Sequence, residues 1–175
     1  GRYFHKKSWK VNFVGDSPFP RQDQINLRAD YPDLSMMRTK LATELFEAAS
    51  VPVPRAEHVL LGINGEYLGV YTYNEQGIGF LARTGQDPGI SIYKSVATEL
   101  NDFSRVQPSE DAYYAAYEKK TNRDTDYGDI IAFIELLNNT PDETFAYELR
   151  RLFDVTTYLD YYAVIALTSN SDFIR

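Results

Sequence analysis

The run Glu57–Asn74, EHVLLGINGEYLGVYTYN, decides how the chain is read. Two apolar runs, Glu57 to Ile63 and Glu66 to Asn74, flank Asn64-Gly65. That pair favours a type I′ turn because both central positions need positive φ, so the run predicts an antiparallel hairpin. Upstream, Ser8 to Val14 alternates, with Trp9, Val11 and Phe13 on one face and Ser8, Lys10 and Asn12 on the other, which predicts a strand. Gly15-Asp16-Ser17-Pro18-Phe19-Pro20 breaks it, and Gln24 to Arg28 predicts a second strand. Leu34 to Ser50 predicts a helix with Met37, Leu41 and Leu45, flanked by Ala42, Phe46 and Ala49, as its apolar stripe. Val51-Pro52-Val53-Pro54 stops it, because proline disfavours helix at the preceding residue.

Downstream of the hairpin, Gly77 to Gly89 is glycine-rich and predicts a turn-rich connection, with Gly77-Ile78-Gly79 as a flexible turn. Ile90 to Val96 predicts one more short strand. The rest is helical in pattern. Tyr127 to Leu137 places Ile130, Ile131, Ile134 and Leu137 at helical spacing. Thr140-Pro141-Asp142-Glu143 has the form of a capping box, with Thr140 as cap and Glu143 three residues on. Asp154 predicts the cap of a last helix, striped by Val155, Tyr158, Leu159, Tyr162, Ala163 and Leu167. The pattern predicts an α+β fold, strand-rich to about residue 97 and helical from about residue 109.

Composition sets the outer bounds. The 175 residues suit one domain that buries its own core, and 43% hydrophobic with 25% charged residues excludes disorder as the main state. A net charge of −7 argues against a duplex DNA binder and suits cationic partners, or a bound metal that lets the chain approach anions. The absence of cysteine removes disulfides, thiolate zinc sites and cysteine nucleophiles together. No apolar run approaches the roughly 18–20 residues of a membrane span. The 14 tyrosines supply large contact area with a polar handle.

The order of short motifs goes further. Lys6-Lys7-Ser8-Trp9-Lys10, Asn26-Leu27-Arg28, Arg38-Thr39-Lys40-Leu41-Ala42 and Val51-Pro52-Val53-Pro54-Arg55-Ala56 follow one another. Then come Ile63-Asn64-Gly65, Tyr67-Leu68-Gly69-Val70-Tyr71 with Glu75, and Ile92-Tyr93-Lys94. Tyr117-Glu118-Lys119-Lys120, Leu136-Leu137-Asn138-Asn139 and finally Asn170-Ser171-Asp172 complete the series. Taken together, these motifs closely resemble the CotH-type kinases, the spore-coat protein H family of atypical protein kinases. They span nearly the whole chain.

The resemblance implies an atypical protein-kinase-like fold, with a strand-rich nucleotide-facing lobe followed by the start of a helical lobe. It implies transfer of the γ-phosphate of ATP, with Mg2+, to Ser or Thr of a protein substrate, for which basic sites suit the acidic chain. Phosphoryl transfer needs cations on the phosphates, a carboxylate to take the hydroxyl proton and ligands for magnesium. By the resemblance, Asp172 is the catalytic carboxylate, and Asn170 holds the shape of its loop. Without it, Asn170-Ser171-Asp172 reads as a turn that ends a helix. Lys7, Lys10 and Arg28 are the candidates for the phosphates. Which of them serves stays open, since charge on edge strands is routine. Glu75 follows the second hairpin strand, where the chain of such a kinase passes the adenine; its backbone is the candidate for the base and its side chain for the ribose.

The family continues past the catalytic segment to a second aspartate that binds magnesium, and has further strands before the first motif. The chain is therefore expected to be incomplete at both ends and inactive alone, with no metal ligand assigned within it. A non-catalytic binding or structural module of a spore coat or cell envelope is the alternative, and the family association points to the coat, the cell surface or secretion. Four other features are read as structural. His5 and His58 lack companions at metal-ligand spacing. Asn138-Asn139-Thr140 is a sequon followed at once by Pro141, and Asp124, Asp126 and Asp129 lack the glycine and glutamate of a calcium loop. Arg38 and Lys40 belong to an exposed helix face or pair with Glu44 or Glu47.

Overall fold

A computed structural model describes residues 5–14, 24–87, 89–96 and 103–169. The chain divides into two compact units, one of residues 1–87 with 160–175 and the other Pro88–Leu159. Both mix helix with antiparallel sheet, so the α+β expectation holds.

The first unit is built on a four-stranded antiparallel sheet in the order β1-β2-β4-β3. Its strands are β1 (Trp9–Asn12), β2 (Gln24–Arg28), β3 (Ala56–Ile63) and β4 (Glu66–Asn74). The Asn64-Gly65 turn has both φ positive, at 52° and 83°, as a type I′ connection demands. One sheet face carries a core of Ile25, Leu27, Ala29 and Tyr71, with Val11, Phe13, Val59 and Leu61 packed against it. Lys6 ties the chain ahead of β1 to this core. Its Nζ donates to the carbonyls of Ala29 and Val70 and lies 4.4 Å from the centroid of the Tyr71 ring.

β3 and β4 do not pair in one register throughout. Near the turn Ile63 faces Glu66 and Gly62 faces Tyr67; beyond a bulge Leu61 faces Gly69 and Ala56 faces Asn74. Leu68 is the extra residue. Gly69 takes φ +110°, a conformation that strains any residue with a Cβ.

Helix α1 runs Arg38–Ala48, starting later than Leu34. Asp33 sets that boundary, because its carboxylate accepts from the N–H groups of Ser35 and Arg38 and holds the approach as a turn. The Ser35 hydroxyl, then the Arg38 N–H, hold the Asp33 carboxyl below its usual range. The expected stripe is also rotated: Met37, Leu41 and Leu45 stay partly exposed, whereas Thr43 is buried. Helix α2, Gly77–Thr84, stands where a flexible turn was expected. Burial of Leu81 and the tethering of Arg83 to Glu75 offset the helix penalty of two glycines.

The second unit pairs β5 (Tyr93–Ser95) with β6 (Tyr117–Lys119) and adds α3 (Glu110–Ala116), α4 (Gly128–Asn139) and α5 (Asp142–Leu152). Its core is Tyr113, Ala116, Tyr117, Ile130 and Ile134. Lys119 is buried there. Its Nζ donates to Asp126 O at 2.6 Å and lies 5.4 Å from the rings of both Tyr93 and Tyr127. The Tyr93 hydroxyl donates to Asp129.

The capping box does not form. Thr140 is extended behind α4, Pro141 is the cap residue of α5, and no side chain accepts at that helix start. Asp154 does cap α6 (Val155–Leu167), accepting from Thr157 N at 3.0 Å and Thr157 Oγ1 at 2.7 Å. The buried residues of α6 are Val164 and Ile165, while Tyr158, Leu159, Tyr162 and Leu167 of the expected stripe are exposed. The helix is apolar nearly all round, so periodicity cannot select its inner face. Tyr161 does stack on Phe46 of α1, with ring centroids 5.3 Å apart.

Two outcomes are expected. Gly69→Ala should lower the unfolding free energy by about 1–3 kcal/mol, read from urea denaturation, because alanine must take a strained φ. The second concerns pH. Burial disfavours the Asp129 carboxylate, but hydrogen bonds from Tyr93 and Ile130 N–H with the Lys119 charge outweigh it and lower its pKa. Burial, then the bond to Asp129, raises the pKa of Tyr93. A lowered carboxyl stabilises the fold fully above its ordinary value of 3.8 and loses this as pH falls through its folded value. A raised tyrosine stabilises fully below its ordinary 10.0 and loses this as pH rises beyond it. Melting temperatures followed into acid should therefore fall less steeply for Asp129→Asn than for the unaltered chain.

Candidate functional site

The bulge in β4 and the pairing of β1 with β2 bring four residues into one row across the sheet. Lys10 faces Asn26, Asn26 faces Asn74, and Asn74 faces Ala56. Directly paired residues share a face, so this face is polar where the other carries the core. α1 meets it with Thr39 and Thr43 rather than with its leucines. Between helix and sheet lies a cavity of about 440 Å3, bounded also by Trp9, Arg28, Glu75 and Gln76.

Three of the four sequence-predicted ligand residues, Lys10, Arg28 and Glu75, line this cavity. Lys7 is exposed and does not line it. Lys10 makes no ion pair with any described residue. Arg28 is held from behind: its Nε lies 3.1 Å from an oxygen of Asp30, whose side chain is only 4% exposed. The other Asp30 oxygen accepts from Thr72 Oγ1. Asp30 has φ 42°, which aspartate tolerates better than most residues. Arg28 keeps half of its side chain exposed, so the pair orients the guanidinium without burying it.

The carboxylate of Glu75 is already engaged. Arg83 Nε donates to both its oxygens at 3.1 and 3.0 Å, Arg83 Nη2 adds a bond of 2.9 Å, and Arg55 N–H a fourth of 3.0 Å. Arg83 also donates to Val53 O at 2.7 Å. Glu75 thus joins the end of β4 to α2 and to the segment ahead of β3. Beside it, Asn74 Oδ1 is buried with no hydrogen-bond partner. An acceptor left so costs about 1–3 kcal/mol. Gln76 Nε2 donates to the Asn74 carbonyl at 3.0 Å, and its Oε1 accepts from Gln24 at 3.5 Å.

Asp172 and Asn170 lie outside the described residues. Among the described residues no group of three or more His, Asp or Glu side chains is placed to hold a metal ion. The polar groups around the cavity are two cations and several amides, a donor set of the kind that suits an anion such as a phosphate. Lys40 pairs with Glu44 at 3.7 Å and with Glu57 at 3.2 Å, whereas Glu47 pairs with Arg55 at 3.8 Å.

Sequence reasoning missed Asp30, Asn74 and Arg83. Asp30 had a signal: opposite charges two apart at a strand end share a face. Asn74 and Arg83 had none, because their roles follow from the bulge and from α2.

A family model described as CotH kinase protein matches residues 1–175. The chain is 32% identical over 176 residues to the inner spore coat protein H of Bacillus subtilis (strain 168). That match covers 98% of the chain and 48% of the relative, so the chain spans about half the length of the curated relative it matches.

Arg83→Ala should lower stability by about 2–3 kcal/mol, because it leaves the Glu75 charge buried and unpaired. This is below the cost of breaking a fully buried pair, since Arg83 keeps 25% of its side chain exposed. In a double-mutant cycle, adding Glu75→Gln should recover part of the loss.

Proposed function

The chain belongs to the CotH family, and from that premise we propose that it is the nucleotide-facing part of a protein kinase. Its substrate is a protein bearing Ser or Thr, with basic surroundings suited to the net charge of −7. The relative's name, inner spore coat protein H, supports a place in the spore coat. One observation carries the reading: Lys10 and Arg28 both line one cavity, which the amides at the end of β4 line as well.

When bound, ATP with magnesium supplies the phosphoryl group and part of the charge neutralisation. Lys10 and Arg28 hold phosphate oxygens and draw charge away as it develops there. Arg28 serves because Asp30 fixes its direction; Lys10 serves as a mobile point charge. Glu75 contributes through backbone position rather than through its carboxylate. Asp172 takes the proton of the substrate hydroxyl.

Isothermal titration of the chain with Mg-ATP should show binding that Lys10→Ala and Arg28→Ala each weaken by about tenfold, the scale of one charge-assisted hydrogen bond. Transfer to protein, assayed in the full-length parent, should be abolished by Asp172→Ala. Binding unaffected by both cation variants would place the nucleotide elsewhere. No binding, in the chain or the parent, would favour a structural module of the coat instead.

A further inference from the structure

We infer that Asp30 is the positioning residue that aims Arg28 at the phosphates, a task that protein kinases commonly give to a glutamate on the helix facing the sheet. The inference rests on the nucleotide reading of the cavity and deepens it.

The local chain explains how Asp30 comes to this place. β2 ends at Arg28, and at Asp30 the backbone enters the left-handed region, with φ 42°. The Asp30 carbonyl accepts from Asp33 N–H at 2.9 Å, so the chain turns here. The turn brings the carboxylate back to the strand it follows. One oxygen lies 3.1 Å from Arg28 Nε, and the other accepts from Thr72 Oγ1. Thr72 is the partner of Arg28 across β2 and β4, and it is fully buried. Both oxygens of Asp30 are thus engaged on the two residues of one strand pair. The ion pair uses Nε and leaves 53% of the Arg28 side chain exposed, so the donors on Nη1 and Nη2 remain for an anion.

Helix α1 does not compete for the role. It lines the cavity with Thr39 and Thr43, and Thr43 Oγ1 already donates to Thr39 O at 3.0 Å. Its glutamates, Glu44 and Glu47, are exposed and pair with Lys40 and Arg55. Among the described residues Asp30 is the carboxylate that meets Arg28. The aim of Arg28 is therefore set inside the sheet, and a displacement of α1 leaves it unchanged.

The sign of the effect separates this role from that of a nearby charge. A carboxylate beside an anion site repels the anion, so removing its charge alone would tighten binding. Asp30 acts by orientation, so neutralising it loosens binding, because the guanidinium must be ordered anew at each binding event.

The test titrates inorganic tripolyphosphate and Mg-ATP into the chain and its variants by calorimetry. Asp30→Asn keeps an acceptor for Thr72 and a residue type that tolerates positive φ. It should weaken both ligands by about fivefold, the scale of one hydrogen bond. Thr72→Val, close in shape, should weaken them by about threefold. Glu44→Gln and Glu47→Gln should each leave them within about twofold, as exposed substitutions do. In the Arg28→Ala background Asp30→Asn should cause no further loss, since a positioning residue acts through the cation it positions.

Binding that Asp30→Asn leaves unchanged or tightens overturns the inference. So does an equal loss in the Arg28→Ala background, which marks a structural effect. A loss on Glu44→Gln or Glu47→Gln as large as on Asp30→Asn also overturns it, by giving the task to α1. If Asp30→Asn fails to fold, Thr72→Val and its cycle with Arg28→Ala decide in the same way. In all these outcomes the unaltered chain binds Mg-ATP, and the nucleotide reading stands. If the unaltered chain binds neither ligand, that reading falls and takes the inference with it.

Discussion

A single extra residue in β4 governs the functional face of the sheet. Continued from the turn without interruption, the register would place Ala56 opposite Tyr73. With Leu68 bulged, Ala56 faces Asn74 instead. Because side chains alternate between faces, a shift by one residue exchanges every side chain on that strand segment between core and cavity. The bulge thus makes an amide, not a tyrosine, the neighbour of Ala56 on the cavity side, and Gly69 supplies the backbone conformation it needs.

The polar face then shapes what packs on it. A helix presenting leucines to Asn26 and Asn74 would bury amides against hydrocarbon, at a cost the fold avoids by turning Thr39 and Thr43 inward. That leaves Met37, Leu41 and Leu45 partly exposed. The same constraint explains why the cations stay usable. Arg28 is paired, yet its partner Asp30 sits behind it and is itself held by Thr72, so the guanidinium is directed instead of withdrawn. On a chain with a net charge of −7, two cations lining one cavity are what the proposed phosphate site rests on.

Much of this was legible in the sequence, for reasons that can be named. Asn64-Gly65 announces its turn because few residue pairs tolerate two positive φ values, and Gln24–Arg28 alternates cleanly enough to be bounded to the residue. Lys10, Arg28 and Glu75 were singled out through the order of motifs, not through any local chemical pattern, and the structure sets all three around one cavity. What escaped depended on tertiary context. The α1 stripe turned away because the opposing sheet face is polar, and α6 is too apolar for its pattern to choose a side. Gly77-Ile78-Gly79 reads as a breaker until Arg83, six residues beyond Gly77, is seen to bond Glu75. Thr140 has a cap's sequence context without its hydrogen bond. Asn74 could not be singled out, since its isolation follows from the bulge.

The most direct test of the central claim is a crystal structure of the chain with magnesium and a non-hydrolysable ATP analogue. The account predicts the nucleotide between α1 and the polar face of the sheet, with phosphate oxygens within hydrogen-bond distance of Lys10 and Arg28. A nucleotide bound elsewhere, touching neither residue, would contradict it.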